Sequence, residues 1–207
     1  MDAEQALQRL KEGNQRFASG RRTYPRQDLQ RMRDIEQKQN PYATLLSCSD
    51  SRVPPEHLFD AGLGDLFVVR VAGNVFDDIA FGAIEFGVEY IETPLLVVLG
   101  HTNCGAISAA VREQDAHSYV SDLLEKVNHA IEEAKQKHPE LNLAQLIDAA
   151  IRYNVLRSME DLVRQSPLIR RRVENRRLSI MGAVYHIENG AVEWLGKHPR
   201  QEEFLME

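Results

Sequence analysis

A chain of 207 residues is long enough to bury a full hydrophobic core within one compact unit. Its 43% apolar and 27% charged fractions exclude the low-hydrophobicity composition of disordered chains. With 25 basic and 31 acidic residues the formal charge is −6, which removes any generic attraction to nucleic acid or an anionic membrane and leaves a small molecule as the default partner.

The opening MDAEQALQRLKEGNQRFASG is a charged helical pattern without the apolar stretch and small-residue cleavage site of a signal peptide, so a cytoplasmic protein is expected. No run approaches the roughly 18 apolar residues of a membrane span, the nearest being residues 94–100. Residues 3–17 place Ala6, Leu10 and Phe17 near one helical stripe, and a second, polar helix is expected over 28–39. Their apolar content is thin for free-standing helices, so this arm is expected to lie across another surface, either its own core or a second subunit. Apolar runs at 43–48, 66–71, 95–100 and 178–185 then read as strands, separated by helical patterns over 79–91, 104–113, 121–137 and 143–165 and a short one after Pro167. Strand and helix alternating in this way predict an α/β fold with a central, mainly parallel β-sheet flanked by helices. The uninterrupted LLVVLG run fits a sheet covered on both faces. Asn189-Gly190 is a hairpin signal, so the last strand is expected to turn back as an antiparallel edge, giving about four strands plus one. The expected organisation is a single domain, with an N-terminal helical arm over 1–40, an α/β core over 41–195 and a tail over 196–207. The cluster Arg170, Arg171, Arg172, Arg176 and Arg177 reads as a solvated helix face.

Cys48 and Cys104 are the only cysteines. A disulfide between them is one reading, but a reducing compartment opposes it and a core of this size does not need it. Cys48 ends the first core strand, His101 follows the third, and Cys104 comes three residues later at the start of a helix. All three fall at carboxyl ends of parallel strands, the edge where open α/β sheets gather their ligands. Two thiolates and an imidazole suit Zn²⁺, and three protein ligands leave a fourth position open, which marks catalytic rather than structural zinc. The helix N-terminus is expected to favour the Cys104 thiolate. Taken alone, H-x-x-C is a weak signal. The nearby S-C-S-D-S-R-V-P-P segment adds Asp50 and Arg52, two residues apart in a polar turn. The carboxylate reads as a turn cap beside an exposed arginine, or as a group that a bidentate guanidinium keeps ionised and aimed at metal-bound water. Direct binding of Asp50 to zinc, closing the site, is a further alternative.

CSDSRVPPE, GLGDLFVVRVAGN, GAIEFGVE and GHTNCGAI occur in this order, and with them the chain closely resembles the β-class carbonic anhydrases from about residue 4 to residue 195. The resemblance implies that Cys48, His101 and Cys104 hold one zinc per chain. It makes Asp50 and Arg52 the catalytic pair, with Asp50 able to alternate onto the metal. Substrate contacts are implied at Gln39, at an apolar pocket of Phe67, Ala72 and Phe86, and at the backbone N–H of Gly105. Ala72 and Phe86 stand where the family more often has Val and Tyr, and for Phe67 and Phe86 plain core packing is the alternative. Relatives with an inhibitory bicarbonate site are matched at Val53, Arg70 and Tyr185, but Leu45 replaces their tryptophan. The implied activity is reversible hydration of CO₂ to bicarbonate and a proton by zinc-activated hydroxide, in a homodimer or homotetramer whose subunits share the active-site wall. Hydrolysis of carbonyl sulfide or carbon disulfide is the enzymatic alternative. A non-catalytic zinc-binding or bicarbonate-binding protein is the other, and intact Asp50, Arg52 and Gln39 argue against it. A proton shuttle is not evident; His57 is a candidate that also reads as an ordinary surface histidine.

Overall fold

The structure, a computed structural model, describes residues 1–206. Its sheet is built from β1 (Ala43–Ser47), β2 (Leu66–Arg70), β3 (Leu95–His101), β4 (Ser179–Tyr185) and β5 (Val192–Gly196). Their spatial order is β2-β1-β3-β4-β5. The first four strands pair in parallel, and β5 returns antiparallel to β4 through the turn that Asn189-Gly190 announced. β1 and β3 are buried along their whole length because alternate residues serve two separate cores. Leu46, Cys48, Leu96, Val98, Ile180 and Val184 enter one; Leu45, Leu95, Val97, Leu99, Ala183 and Tyr185 enter the other. A sheet hidden on both faces has no polar side to encode, hence the continuous apolar runs.

The second core is closed by α1 (Ala3–Ala18) and α3 (Pro55–Leu58), which contribute Ala6, Leu10 and Leu58. α1 therefore lies across its own core. Two buried carboxylates anchor the arm there. Asp60 takes Arg16 Nε at 2.7 Å and the backbone N–H groups of Thr23 and Tyr24. Asp65 takes Arg9 at 3.0 Å and Arg26. The second helix of the arm, α2, spans only Leu29–Asp34 and buries no residue. The helix expected over 28–39 thus stops early, because only Arg31 finds a tertiary partner and the other five residues are exposed, too little to propagate a longer helix.

α4 (Asp78–Glu85), α5 (Gly105–Val111), α6 (Tyr119–Lys137), α7 (Leu143–Gln165) and α8 (Pro167–Glu174) follow. All five contribute buried residues to the first core. α7 starts at a capping box between Asn142 and Gln145 and buries Ile147, Ala150, Ile151, Asn154, Val155, Ser158, Met159 and Leu162 along one stripe. It sits close on the sheet: a Cβ at Gly100 would come within 2.7 Å of Val155 Cγ2, an overpacking that typically costs about 1–3 kcal/mol. The helix expected over 79–91 ends as α4 at Glu85 and widens into a π turn over Phe86–Tyr90. That turn leaves Phe86 47% and Tyr90 74% exposed. The expected tail carries a further helix, α9 (Gln201–Met206), whose Phe204 is fully buried in the first core. Among the described residues no helix is long and apolar enough to cross a membrane.

Chain direction sets where a ligand can sit. β1 leads to β2 on one side of it, and β2 leads back across β1 to β3 on the other side. The reversal opens a crevice between the carboxyl ends of β1 and β3, the place where such sheets bind ligands.

Candidate metal centre

Cys48 follows directly on β1, His101 is the last residue of β3, and Cys104 is the N-cap of α5. All three are buried, and their ligand atoms lie within 4.8 Å of one another. Around a tetrahedral zinc such sulfur and nitrogen atoms stand roughly 3.5–3.8 Å apart. Both cysteines are free thiols. His101 Nδ1 donates to the Thr102 carbonyl at 2.9 Å, which fixes the tautomer and leaves Nε2 as a lone pair. That Nε2 is buried and makes no hydrogen bond. Leaving a buried acceptor unsatisfied costs about 1–3 kcal/mol, and a cation placed among the three ligand atoms removes the penalty. The donor set therefore fits zinc.

The cluster's electrostatics point the same way. Cys48 Sγ accepts backbone N–H groups from Gly73 at 3.2 Å and Asp50 at 3.4 Å. The hydrogen bond from the Cys104 thiol does most to lower the Cys48 pKa, to about 4, against the opposing effect of burial. Cys104 moves the other way, held protonated first by its bond to Cys48 and then by burial, with the N–H groups of Ile107 and Ala106 acting against them. The helix field expected to favour the Cys104 thiolate is thus outweighed by the neighbouring sulfur. Two adjacent buried thiols resist losing both protons, and a dication between them makes the second ionisation favourable.

Asp50 and Arg52 form the clamp that the sequence allowed. Arg52 Nε donates to Asp50 Oδ1 at 3.0 Å and its terminal nitrogen to Oδ2 at 2.8 Å, while the Arg52 backbone N–H reaches Oδ1 at 2.9 Å. These bonds from the Arg52 fork are the main reason the Asp50 carboxyl sits at about 2. Asp50 Oδ2 lies 3.9 Å from His101 Nε2, so an ionised carboxylate borders the cluster. Arg52 also donates to the Asn103 carbonyl at 3.2 Å, joining the loop after β1 to the loop before Cys104. Arg70, at the end of β2, braces the other side by donating to the carbonyls of Cys48 at 3.0 Å and Asp50 at 2.7 Å.

Ala72 and Gly105 adjoin this cluster, Ala72 through Gly73 and Gly105 through Cys104. A Cβ at Gly105 would meet nothing within 4 Å, so that backbone faces open space. Gln39, Phe67 and Phe86 are elsewhere. Phe67 pairs with Thr44, four residues before Cys48, or about 13 Å along an extended strand. Its ring lies 6.1 Å from that of Phe86, which stacks on Tyr90 at 5.5 Å. Gln39 lines a cavity of about 500 Å³ at the amino end of β1, with Arg9, Tyr42, Tyr90 and Pro94. Within one chain these three therefore do not meet the Cys48, His101 and Cys104 cluster. Val53 and Tyr185 are buried, Leu45 is buried in the second core, and Arg70 is turned onto the loop carbonyls. His57 is exposed, with Nδ1 at 3.0 Å from Arg22. Sequence reasoning missed Gly73 and the bracing role of Arg70. The Gly73-Asn74 pair, with φ of +71° and +46°, carries a turn signal that would have marked the first.

Comparison with known proteins places this architecture. A family model described as carbonic anhydrase matches residues 43–192. The carbonic anhydrase of Mycolicibacterium smegmatis is 36% identical over 192 residues, covering 91% of each chain. Carbonic anhydrase 2 of Mycobacterium tuberculosis is 36% identical over 189 residues, covering 89% of each. The crystal structure of the β-carbonic anhydrase CafA of Aspergillus fumigatus superposes with a TM-score of 0.78 at 25% identity, covering 84% of each chain. With this sheet, this cluster and these relatives, the chain belongs to the β-carbonic anhydrase family.

Proposed function

We propose that this protein is a zinc enzyme that reversibly hydrates CO₂ to bicarbonate and a proton. The observation that carries the reading is the buried Cys48, His101 and Cys104 cluster, with an unpartnered Nε2 at its centre and an ionised Asp50 at its border. When bound by these three residues, zinc supplies the Lewis acidity that makes water a nucleophile near neutral pH. The chain's own groups do the rest. Asp50, held by Arg52, accepts a hydrogen from the attacking water and so fixes which lone pair faces CO₂. Gly73 and Asp50 donate backbone N–H groups to Cys48 and share its negative charge. Ala72 and Gly105 form the near wall of the substrate space, with the Gly105 N–H facing an oxygen of the substrate. Gln39, Phe67 and Phe86, remote from their own chain's cluster, complete the wall of a second copy in a homodimer.

Stopped-flow measurement of CO₂ hydration on the zinc-loaded protein, beside hydrolysis of carbonyl sulfide, tests the proposal. Hydration should exceed the spontaneous rate and vanish with a zinc chelator, while carbonyl sulfide is left intact. Hydrolysis of carbonyl sulfide without CO₂ hydration would replace this reading with the hydrolase one, and neither reaction would leave a zinc-binding protein without this chemistry.

A further inference from the structure

We infer that Asn154 of α7 is a positioning residue for the Cys48 ligand, acting through the backbone of Gly73. The inference rests on the zinc reading above and concerns how one of its ligands is held. Gly73 lies in the short turn after β2, and its N–H points at Cys48 Sγ at 3.2 Å. That turn has left-handed backbone at two successive residues, Gly73 at φ +71° and Asn74 at φ +46°. Glycine and asparagine are the residues that enter this left-handed region most readily, so the sequence suits the turn. A Cβ at Gly73 would also lie 3.3 Å from Ala106 Cβ, so α5 closes over the turn from above. From below, Asn154 Nδ2 donates to the Gly73 carbonyl at 2.8 Å, and Ser158, one helical turn later, reaches the Asn74 carbonyl at 3.5 Å.

Both polar residues sit on a stripe of α7 that is otherwise Ala150, Ile151, Val155, Met159 and Leu162. Asn154 and Ser158 are almost wholly buried. Side chains of this kind are costly in an apolar stripe unless each finds a partner, and both partners here are carbonyls of the same turn. Helix and turn are about eighty positions apart in sequence, so the bond is a tertiary one. Its effect is to fix the Gly73 to Asn74 peptide and with it the direction of the preceding N–H. An N–H aimed at a thiolate withdraws charge from sulfur and holds it in place, and losing such an outer partner of a metal ligand typically costs about 10–100-fold in metal affinity.

The test uses the full chain with Asn154→Leu, which keeps the approximate shape but loses the donor, and Asn154→Ala. Asn14→Ala is the control, because Asn14 is also buried and bonds the Leu58 and Gly190 carbonyls and the Val192 N–H, away from the cluster. Zinc affinity is read by competition with a chromophoric chelator. Cobalt substitution supplies a second readout, the position of the thiolate-to-metal charge-transfer band. Both Asn154 variants should bind zinc about tenfold more weakly and shift the cobalt band, whereas Asn14→Ala should lower Tm and leave both metal readouts unchanged. Wild-type affinity and an unmoved band in the Asn154 variants overturn the inference, as does an equal loss in Asn14→Ala. A wild-type chain that binds no zinc fails the zinc reading itself. If the Asn154 variants do not fold, wild-type protein loaded with cadmium-113 decides. Resolved coupling between the Gly73 amide proton and the metal, with slow exchange of the Asn154 side-chain amide, supports the inference; absence of either overturns it.

Discussion

Asp50 stands between two partners, the Arg52 fork at 2.8–3.0 Å and the unpartnered His101 Nε2 at 3.9 Å. Only the first is a hydrogen bond, so the carboxylate belongs to the guanidinium and borders the Cys48, His101 and Cys104 cluster. Asp50→Asn should therefore keep its zinc, as elemental analysis will read, while CO₂ hydration falls about 10–100-fold because a neutral amide orients water poorly and cannot pair fully with Arg52. Hydration at the wild-type rate would remove the pair from the mechanism. At this scale the sequence was most informative where chemistry is written in residue type: two cysteines, a histidine and an acid–arginine pair have few other reasons to fall at strand ends. Gly73 and Asn154 were hidden for the opposite reason. One contributes only a backbone N–H, and the other is an ordinary amide whose partner lies far away in sequence.

Elements joined by charge behave differently from elements joined by apolar packing. Arg152 on α7 grips Glu193 on β5 through two bonds of 2.7 and 2.6 Å, and His186 adds a third contact at 3.1 Å. The Arg152 bonds do most to bring the Glu193 carboxyl down to about 2. A depressed carboxyl stabilises the fold fully above its unfolded value of about 4.3, and that stabilisation is lost as pH falls toward the folded value. Tm measured from pH 6 to pH 3, values chosen to span that window, should thus fall more steeply for the wild type than for Glu193→Gln. Parallel curves would show that the pair contributes nothing. β1 and β3 were legible because burial dictates their composition along their whole length, and α7 because its buried stripe recurs at helical spacing. α2 was overextended because a polar helical pattern does not reveal how much of it finds a surface. α9 was overlooked because one buried phenylalanine, flanked by the Arg164 and Arg200 guanidiniums at 4.6 and 5.4 Å from its ring, makes no periodic signal. The π turn at Phe86 was invisible for a similar reason, since its sequence suits an ordinary helix.

At the scale of the whole molecule, the separation of Gln39, Phe67 and Phe86 from their own metal ligands makes complementation the sharpest measurement. A Cys48→Ser chain lacks a metal site but keeps its wall; a Gln39→Ala chain has the reverse defect. Co-refolded as dimers, each mixed pair would hold one intact site, restoring about a quarter of the wild-type sites. Light scattering should report a dimer or larger, and mixtures no more active than their components would place every functional group in a single chain. The crevice between β1 and β3 also orders events in time. Its ligands come from strands separated in sequence by β2 and more than fifty residues, and closing so long a loop must precede any joint grip on the ion. A zinc held by all three residues would accordingly complete its grip only once β1 and β3 stand side by side. Interactions absent from the folding transition state govern the rate of unfolding and leave the rate of folding alone. An ion held this way would be a latch, expected to lengthen the life of the native state more than to hasten its formation.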